Sequence, residues 1–194
     1  GHRNVTAAGI EFTGVEQAGS DAAESRITGR DQVAESFAVT GTRALHAEGI
    51  AFTNVDGVDA GSGAARDSVS GAAHWQLNGN QSVTADGIVF NGIEQAVGAG
   101  HASGITGQDQ VAESFAVTGN RAVTVEGIAF ENVVAVNAGA GTAPDRVTGA
   151  AEWQLNGKHS VIAENMTFHD IEEAGSSELS SRIVGEDGVS ESFL

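Results

Sequence analysis

The sequence predicts an all-β chain that winds into a β-solenoid, and three observations lead to that prediction. The stretch D-Q-V-A-E-S-F-A-V-T-G occurs at Asp31–Gly41 and again, letter for letter, at Asp109–Gly119. Short apolar segments alternate with small or polar residues, and no stretch sustains the helical period. A repeated strand cannot bury its inward face alone, but stacked coils can, so regular repetition favours a solenoid.

The repeat has a long period, and we call one copy of it a super-repeat. The super-repeats 1–78 and 79–156 agree at roughly five positions in eight, and residues 157–194 begin a third, partial and more diverged copy. A related strand with Trp in place of Phe lies between the copies, at Ala72–Gly79 and Ala150–Gly157. We interpret residues 1–194 as a single repeat array, and we expect it to be a segment of a longer protein because both ends fall inside a repeat.

Each super-repeat divides into two similar halves, marked by the motif G-I-x-F. Its first residue is Gly in four copies and Asn in the fifth: Gly9, Gly49, Gly87, Gly127 and Asn165. Asn is the next most tolerant residue for positive φ, so we predict a left-handed corner there. The alternative is a glycine that only leaves room for a neighbouring chain.

The motif spacing of about 39 residues leaves the coil length open. It fits one large coil or two coils of about 19–20 residues, and we favour two because a coil of that size closes with three short faces. The array would then have about ten coils and be about 48 Å long. Five variable Gly-, Ala- and Ser-rich segments should form loops on one side: Ala18–Ser25, Ala60–Arg66, Ala96–Ser103, Ala138–Pro144 and Ala174–Ser181.

The aromatic residues form two repeated sets. One set is Phe12, Phe52, Phe90, Phe130 and Phe168, and the other is Phe37, Trp75, Phe115, Trp153 and Phe193. Exposed rings could serve as platforms for sugars. Their strict alternation with Ile, Val and Leu instead predicts that they are stacked inside the solenoid.

Composition and charge exclude several classes of partner. The formal net charge is −17, which argues against binding to nucleic acid or to an anionic membrane surface. No apolar run is long enough to cross a bilayer. The chain has no Cys, so it has neither disulfides nor a thiolate metal site. The acidic surface is interpreted as a means of keeping the array soluble.

The alternation of F-x-V-T-G, G-I-x-F-x-x-V-E and A-G-x-G-x-x-x-D-x-V-x-G resembles the repeats of filamentous-haemagglutinin-like adhesins and biofilm-matrix adhesins, large proteins that Gram-negative bacteria secrete. The resemblance covers the whole chain. It implies a rod-like, right-handed parallel β-helix at the bacterial cell surface or in the medium. It also implies attachment to host or neighbouring cells, surfaces or matrix exopolysaccharide. It supplies no catalytic residues.

Two segments, Ala60–Val69 and Ala138–Val147, also resemble degenerate calcium-binding nonapeptides of the form G-G-x-G-x-D-x-U-x. The first Gly is Ala in both, and two extra residues precede Asp67 and Asp145. A calcium ion needs six to eight oxygen ligands at fixed places, and the motif does not recur in consecutive coils. We therefore interpret both segments as solvated turns and predict no metal and no cofactor.

Acidic residues recur at three repeat positions, which are Asp31, Asp109 and Asp187; Glu35, Glu113 and Glu191; and Glu16, Glu94 and Glu172. Some parallel β-helices are lyases or glycosidases that use paired carboxylates. An acid that returns in every super-repeat is more typical of a turn than of a unique catalyst. The six His residues, at 2, 46, 74, 101, 159 and 169, share no repeat position and no metal spacing. The repeated Thr residues form a broken array, which does not favour ice binding.

The sequence therefore predicts a structural shaft segment of a secreted adhesin, with no enzymatic activity and no catalytic, cofactor-binding or metal-binding residues. The alternative is a carbohydrate-active parallel β-helix enzyme, a lyase or a glycosidase. An array without caps would expose an unpaired strand and part of its apolar core at each end, so we also expect end-to-end self-association.

Overall fold

The computed structural model is built of β-strands, and no helix occurs among the residues that it describes, which are 4–7, 10–21, 24–100, 103–176 and 181–185. The strands form a β-solenoid of about five turns, with about 39 residues in each turn. The prediction of an all-β solenoid is confirmed. A helix long and apolar enough to cross a membrane is not found in the described part of the chain.

A full turn contains five strands, and corresponding strands have the following bounds. First strands are β5 (Ser36–Gly41), β10 (His74–Gly79), β15 (Ser114–Gly119) and β20 (Glu152–Leu155). Second strands are β1 (Asn4–Ala7), β6 (Ala44–Ala47), β11 (Ser82–Ala85), β16 (Ala122–Val125) and β21 (Ser160–Ala163). Third strands are β2 (Ile10–Thr13), β7 (Ile50–Thr53), β12 (Ile88–Asn91), β17 (Ile128–Glu131) and β22 (Met166–His169).

The remaining two strands of each turn are mostly shorter. Fourth strands are β3 (Gln17–Gly19), β8 (Gly57–Asp59), β13 (Gln95–Val97), β18 (Val133–Asn137) and β23 (Glu173–Gly175). Fifth strands are β4 (Arg26–Thr28), β9 (Ser68–Ser70), β14 (Ser103–Thr106), β19 (Arg146–Thr148) and β24 (Arg182–Val184).

The first three strands of a turn form an antiparallel meander, and for this reason the prediction of ten coils is wrong. In the second turn, β5 pairs with β6 and β6 pairs with β7, both antiparallel. The connection between β6 and β7 is the two-residue turn Glu48-Gly49, with φ of 52° and 78°. Positive φ at both central residues is the mark of a type I′ hairpin turn. The chain thus reverses within one sheet at the places where we expected it to continue around a second coil.

Two large sheets and one small one contain all the described strands. The first sheet has the order β23-β19-β15-β16-β17-β13-β9-β5-β6-β7-β3, and the second has the order β24-β20-β21-β22-β18-β14-β10-β11-β12-β8-β4. The third is the two-stranded β1-β2. The meanders alternate between the large sheets, so that β5–β7 and β15–β17 lie in the first and β10–β12 and β20–β22 in the second. Eleven strands about 4.8 Å apart make each sheet about 48 Å long.

Successive turns are joined by parallel pairing, so both large sheets are mixed. The last strand of a meander pairs with the fourth strand of the preceding turn, and the first strand pairs with the fifth strand of its own turn: β17 pairs with β13, and β15 pairs with β19. Each meander therefore folds back toward the turn before it. The purely parallel pairing that the adhesin resemblance implied is wrong inside the meanders and holds for the other pairs of described strands in the two large sheets.

One apolar core lies between the two large sheets. Phe37 of the first sheet contacts Phe90 of the second, with ring centroids 6.3 Å apart. Equivalent contacts join Trp75 to Phe130 at 6.2 Å and Phe115 to Phe168 at 6.5 Å. Trp153 is also buried. The prediction of internal aromatic rings is confirmed for these residues, while Phe52 is half-buried and the side chains of Phe12 and Phe193 lie outside the described residues.

Left-handed corners occur where the G-I-x-F motif predicts them. The φ angles are 78° at Gly49, 79° at Gly87, 76° at Gly127 and 60° at Asn165, and Gly9 lies outside the described residues. A second set of corners, which we did not predict, directly follows the third strand of a turn. It includes Asn54, Gly92, Asn132 and Asp170, with φ of 57°, 71°, 62° and 58°.

The five segments that we expected to be loops are only partly so. Ala18, Ala96 and Ala174 lie inside the fourth strands β3, β13 and β23, and Ser103 begins β14. Their small side chains suit a strand here, because β3 and β13 pair with neighbours on the sheet and Ala96 is fully buried. The glycine and alanine content that we interpreted as loop composition therefore reflects close packing in part.

Candidate functional site

A line of acidic residues runs across the first sheet, on the side where the chain enters its strands. We call it the acid seam. Each of its members is the residue immediately before a strand with which the chain enters that sheet. The members are Glu16, Glu35, Asp67, Glu94, Glu113, Asp145 and Glu172. The sequence analysis had singled out five of these residues by their repetition. It missed that Asp67 and Asp145 belong to the same seam.

Backbone amides and carboxylates link successive members of the seam. The N–H of Glu35 donates to Oδ1 of Asp67 at 2.7 Å, and the N–H of Asp67 donates to Oε2 of Glu94 at 2.7 Å. One super-repeat later, the N–H of Glu113 donates to Asp145 and that of Asp145 to Glu172, each at 2.8 Å. Each of these carboxylates therefore accepts from the amide just before a neighbouring strand that lies earlier in the chain.

Asp67 and Asp145 are buried, with 5% and 4% of their surface exposed. Our interpretation of their segments as solvated turns is wrong for these two side chains. Burial raises the pKa of both carboxyls, and the negative charges of Glu94 and Glu172 add to that effect, although the amide N–H bonds act in the opposite direction. The segments resemble calcium nonapeptides in sequence, but here the Asp accepts a hydrogen bond from the backbone before a neighbouring strand.

Glu35 and Glu113 occupy the same place in the repeat but have different surroundings. Oε1 of Glu35 accepts hydrogen bonds from the backbone N–H and from Nε of Arg30, at 3.3 and 3.1 Å. In the next super-repeat Gln108 replaces Arg30, and only its backbone N–H reaches Glu113, at 2.9 Å. Glu113 is thus an acid without a cationic neighbour.

The consequence for Glu113 is a strongly raised pKa. Only 2% of its surface is exposed, and its Oε2 has no hydrogen-bond partner among the described residues. Burial, with further contributions from the charges of Asp145 and Glu126, raises its pKa to about 7. A buried carboxylate without a cationic partner is costly, so the neutral acid is favoured below about pH 7.

Glycines make the space for these two glutamates. A Cβ on Gly29 would lie 2.0 Å from Oε2 of Glu35, and a Cβ on Gly107 would lie 1.9 Å from Oε2 of Glu113. The same Cβ on Gly107 would be 2.5 Å from the carbonyl oxygen of Ala138. Both glycines are therefore required by close approach of the acid and the adjacent backbone.

The Asp residues of the repeated D-Q-V-A-E-S-F stretch join neighbouring loops. Oδ1 of Asp31 accepts from the N–H and the hydroxyl of Ser62, at 2.8 and 2.9 Å, and Oδ1 of Asp109 accepts from the N–H of Ala140 at 2.8 Å. The hydrogen bonds from Ser62 lower the pKa of Asp31. The remaining copies, Asp187 and Glu191, lie outside the described residues.

The other candidates for chemistry do not converge. His46, His74, His159 and His169 are all exposed, and His2 and His101 lie outside the described residues. No group of three or more His, Asp or Glu side chains suited to a metal ion is found in the described part of the chain. The repeated Thr residues are divided between the two sheets, because corresponding strands of successive turns lie in opposite sheets.

The arrangement of the seam supports a structural role. Its carboxylates accept hydrogen bonds from backbone amides of neighbouring strands or of the preceding loop, and the member with the most perturbed pKa is closed off from solvent. No protein-family model matches the chain, and no similar protein is found among characterised proteins or solved structures.

Proposed function

We propose that this chain is a shaft segment of a secreted adhesin, a stiff spacer that carries binding regions away from the cell surface. One observation supports the proposal above the others: both large sheets and the core between them continue without interruption from β3 and β4 to β23 and β24. A continuous core resists bending between turns, whereas a string of separate domains does not.

The secreted location and the adhesin context come from the sequence resemblance. The partners that we propose are matrix exopolysaccharide and the surfaces of host or neighbouring cells. Because the two large sheets have no break among the described strands, the segment itself would act by spacing. The acid seam then serves the shaft by tying each turn to the next at one edge.

The length of the particle tests the spacer role. One super-repeat supplies five strands to each large sheet, for example 79–156 supplies β13, β15, β16, β17 and β19 to the first, which is about 24 Å of length. Inserting a second copy of residues 79–156 should therefore lengthen the particle by about 24 Å in small-angle X-ray scattering, with an unchanged cross-section. A thicker particle of the same length would contradict a linear shaft.

A binding screen tests the adhesin context. The intact chain, immobilised on beads, is offered glycans, matrix polysaccharides and cells, with a heat-unfolded sample as the control. Retention of one polysaccharide class by the folded chain alone would extend the proposal from spacing to attachment. Cleavage of the polysaccharide during the assay would contradict the proposal and favour the enzyme.

The alternative function, a carbohydrate-active enzyme, has one observation in its favour. Glu113 has a pKa of about 7, which suits a general acid. The same residue is 2% exposed, so a polysaccharide has no access to it without opening of the turn. Release of reducing ends or unsaturated sugars by the wild type, and its loss in Glu113→Gln, would establish the enzyme.

A further inference from the structure

Two loops in the middle of the array pack against each other beside the acid seam. Residues 107–113 connect β14 to β15, and residues 138–145 connect β18 to β19. The N–H of Gln110 donates to the carbonyl oxygen of Ala140 at 3.0 Å, and the N–H of Ala140 donates to Oδ1 of Asp109 at 2.8 Å. The N–H of Glu113 donates to Oδ1 of Asp145 at 2.8 Å. We call these two loops the second loop pair.

The same arrangement occurs one super-repeat earlier, in residues 29–35 and 60–67, which we call the first loop pair. The N–H of Gln32 donates to the carbonyl oxygen of Ser62 at 3.0 Å, and the N–H of Ser62 donates to Oδ1 of Asp31 at 2.8 Å. The N–H of Glu35 donates to Oδ1 of Asp67 at 2.7 Å. The chain therefore contains two loop pairs with equivalent backbone hydrogen bonds, and the behaviour of one can be measured against that of the other.

The two loop pairs differ in the charges around the glutamate between their loops. In the first loop pair, Nε of Arg30 lies 3.1 Å from Oε1 of Glu35. In the second, Gln108 takes the place of Arg30. The charges that act on Glu113 there are negative: Asp145 lies in the same loop pair, and Glu126 lies in the turn between β16 and β17. On the adjacent strand β19, Arg146 has its Nε 3.9 Å from Oε2 of Glu173.

Both loops of the second pair enclose the Glu113 side chain. Its Oε1 accepts from the N–H of Gln108, and its Oε2 has no hydrogen-bond partner among the described residues. Oε2 and the carbonyl oxygen of Ala138 lie within 2.5 Å of the point where a Cβ on Gly107 would be. A carboxylate at this place is near a second oxygen and away from water, whereas a neutral carboxyl avoids that cost. Separation of the two loops would give Glu113 access to water.

We propose that the second loop pair is a pH-sensitive conformational switch, in which ionisation of Glu113 separates residues 107–113 from residues 138–145. While the carboxyl is neutral, the two loops stay in contact. Once it is ionised, the loops part at this one place and the carboxylate reaches water, while the strands on either side remain paired. The first loop pair stays closed, because Arg30 compensates the charge of Glu35. The proposal does not depend on the shaft function.

Opening of the second loop pair is linked to the loss of a proton. The pKa of Glu113 is about 7 in the closed loops and near 4.5 once the side chain is exposed. The closed form is therefore fully favoured below pH 4.5, and this advantage is lost as the pH rises through 7. The open population should grow about 50-fold between about pH 5 and pH 8. Burial also raises the pKa of Asp67 and of Asp145, but each loop pair contains one of them, so a comparison of the pairs isolates Glu113.

Hydrogen exchange of the intact chain, resolved by residue, tests the proposal. The reporters are equivalent amides of the two loop pairs, which are Gln110, Glu113 and Ala140 in the second and Gln32, Glu35 and Ser62 in the first. Protection factors are measured at a series of pH values from about 5 to about 8. We expect protection in the second loop pair to fall about 50-fold relative to the first, while β16 and β17 keep theirs.

Matched variants exchange the behaviour of the two loop pairs. Arg30→Gln gives Glu35 the surroundings of Glu113, so the first loop pair should then lose protection as the pH rises. The Arg30 side chain is 64% exposed, so its replacement removes little packing. Gln108→Arg should abolish the loss in the second loop pair, and so should Glu113→Gln, whose side chain is neutral at every pH. Circular dichroism at each pH establishes that the variants are folded.

Three outcomes would overturn the proposal. The first is the same dependence of protection on pH in both loop pairs of the wild type. The second is an equal loss of protection in β16 and β17, because the whole chain would then loosen and no local switch would exist. The third is a folded Glu113→Gln whose second loop pair still loses protection, or a folded Arg30→Gln whose first loop pair does not.

Discussion

Because Glu113 is buried without a cationic neighbour, we predict that the stability of the chain depends on pH through this residue. In Glu113→Gln the amide oxygen can still accept from the N–H of Gln108, and the amide nitrogen would take the place of Oε2, which has no partner. Oε2 and the carbonyl oxygen of Ala138 both lie within 2.5 Å of the point where a Cβ on Gly107 would be. The new N–H₂ group would lie near this carbonyl oxygen, which is an acceptor. The variant is neutral at every pH.

The sign and size of the effect follow from the raised pKa. The pKa of Glu113 is about 7 in the folded chain and near 4.5 in the unfolded one. Its contribution to stability is therefore fully present below pH 4.5 and is lost as the pH rises through 7. At about 1.4 kcal/mol for each pKa unit, the loss is up to about 3 kcal/mol. We expect Glu113→Gln to equal the wild type near pH 4.5 and to exceed it by about 2–3 kcal/mol at about pH 8.

Urea unfolding at a series of pH values, followed by tryptophan fluorescence, measures this difference. Glu35→Gln is the matched control: Glu35 has Arg30 beside it, so the variant should gain no stability at the same alkaline pH. Gln108→Arg is the reciprocal change, because it would give Glu113 the same cationic neighbour and should flatten the pH dependence. Equal stability of Glu113→Gln and the wild type at that pH, with both folded, would refute the reasoning.

Three further predictions concern packing and metal. Trp153→Ala should lower the free energy of unfolding by about 3–5 kcal/mol because the ring is buried, and equal urea midpoints for this variant and the wild type would contradict that. Trp153→Phe should lower it much less, since the indole N–H has no partner among the described residues and Phe occupies this position in β5 and β15. Gly107→Ala should destabilise by about 2–4 kcal/mol through overlap with Glu113 and the backbone, while Gly119→Ala, with open space around its Cβ, should change stability by less than about 1 kcal/mol. A chelator should leave the melting temperature unchanged, and stabilisation by several kcal/mol in millimolar calcium would show that the Asp67 and Asp145 segments bind it.

The sequence was sufficient to predict the class of fold and most of the core residues. Alternation at Phe37 and Trp75 identified strands and their buried faces, because the inward side of a strand must be apolar at every second residue. The Gly-to-Asn exchange between Gly127 and Asn165 identified a left-handed corner. Both inferences depend on single residues and their immediate neighbours, and the repeat shows the same local pattern several times.

The path of the chain was harder to predict. The spacing of the G-I-x-F motif fits either one turn of the solenoid that contains a hairpin or two turns that contain none. The two-residue hairpin connection Glu48-Gly49 decides between them. We recognised the positive φ at Gly49 but not that Glu48 shares it, and only the pair makes a hairpin. The acid seam was missed for a related reason. Asp67 and Glu35 are brought together by parallel pairing of β5 with β9, far apart in the chain, and their local sequences are unlike.

The alternation of meanders between the two sheets has a consequence for how such a gene can change in length. Loss or duplication of a single turn would shift every later strand into the opposite sheet. If that turn lay before Glu113, then Glu113, Asp145 and Glu172 would precede strands of the second sheet, away from Glu16 and Glu35. An in-frame change of two turns returns each strand to its own sheet. Recombination in steps of one whole super-repeat therefore keeps the acid seam in one sheet, and unequal crossing-over offset by half that length divides it between two sheets.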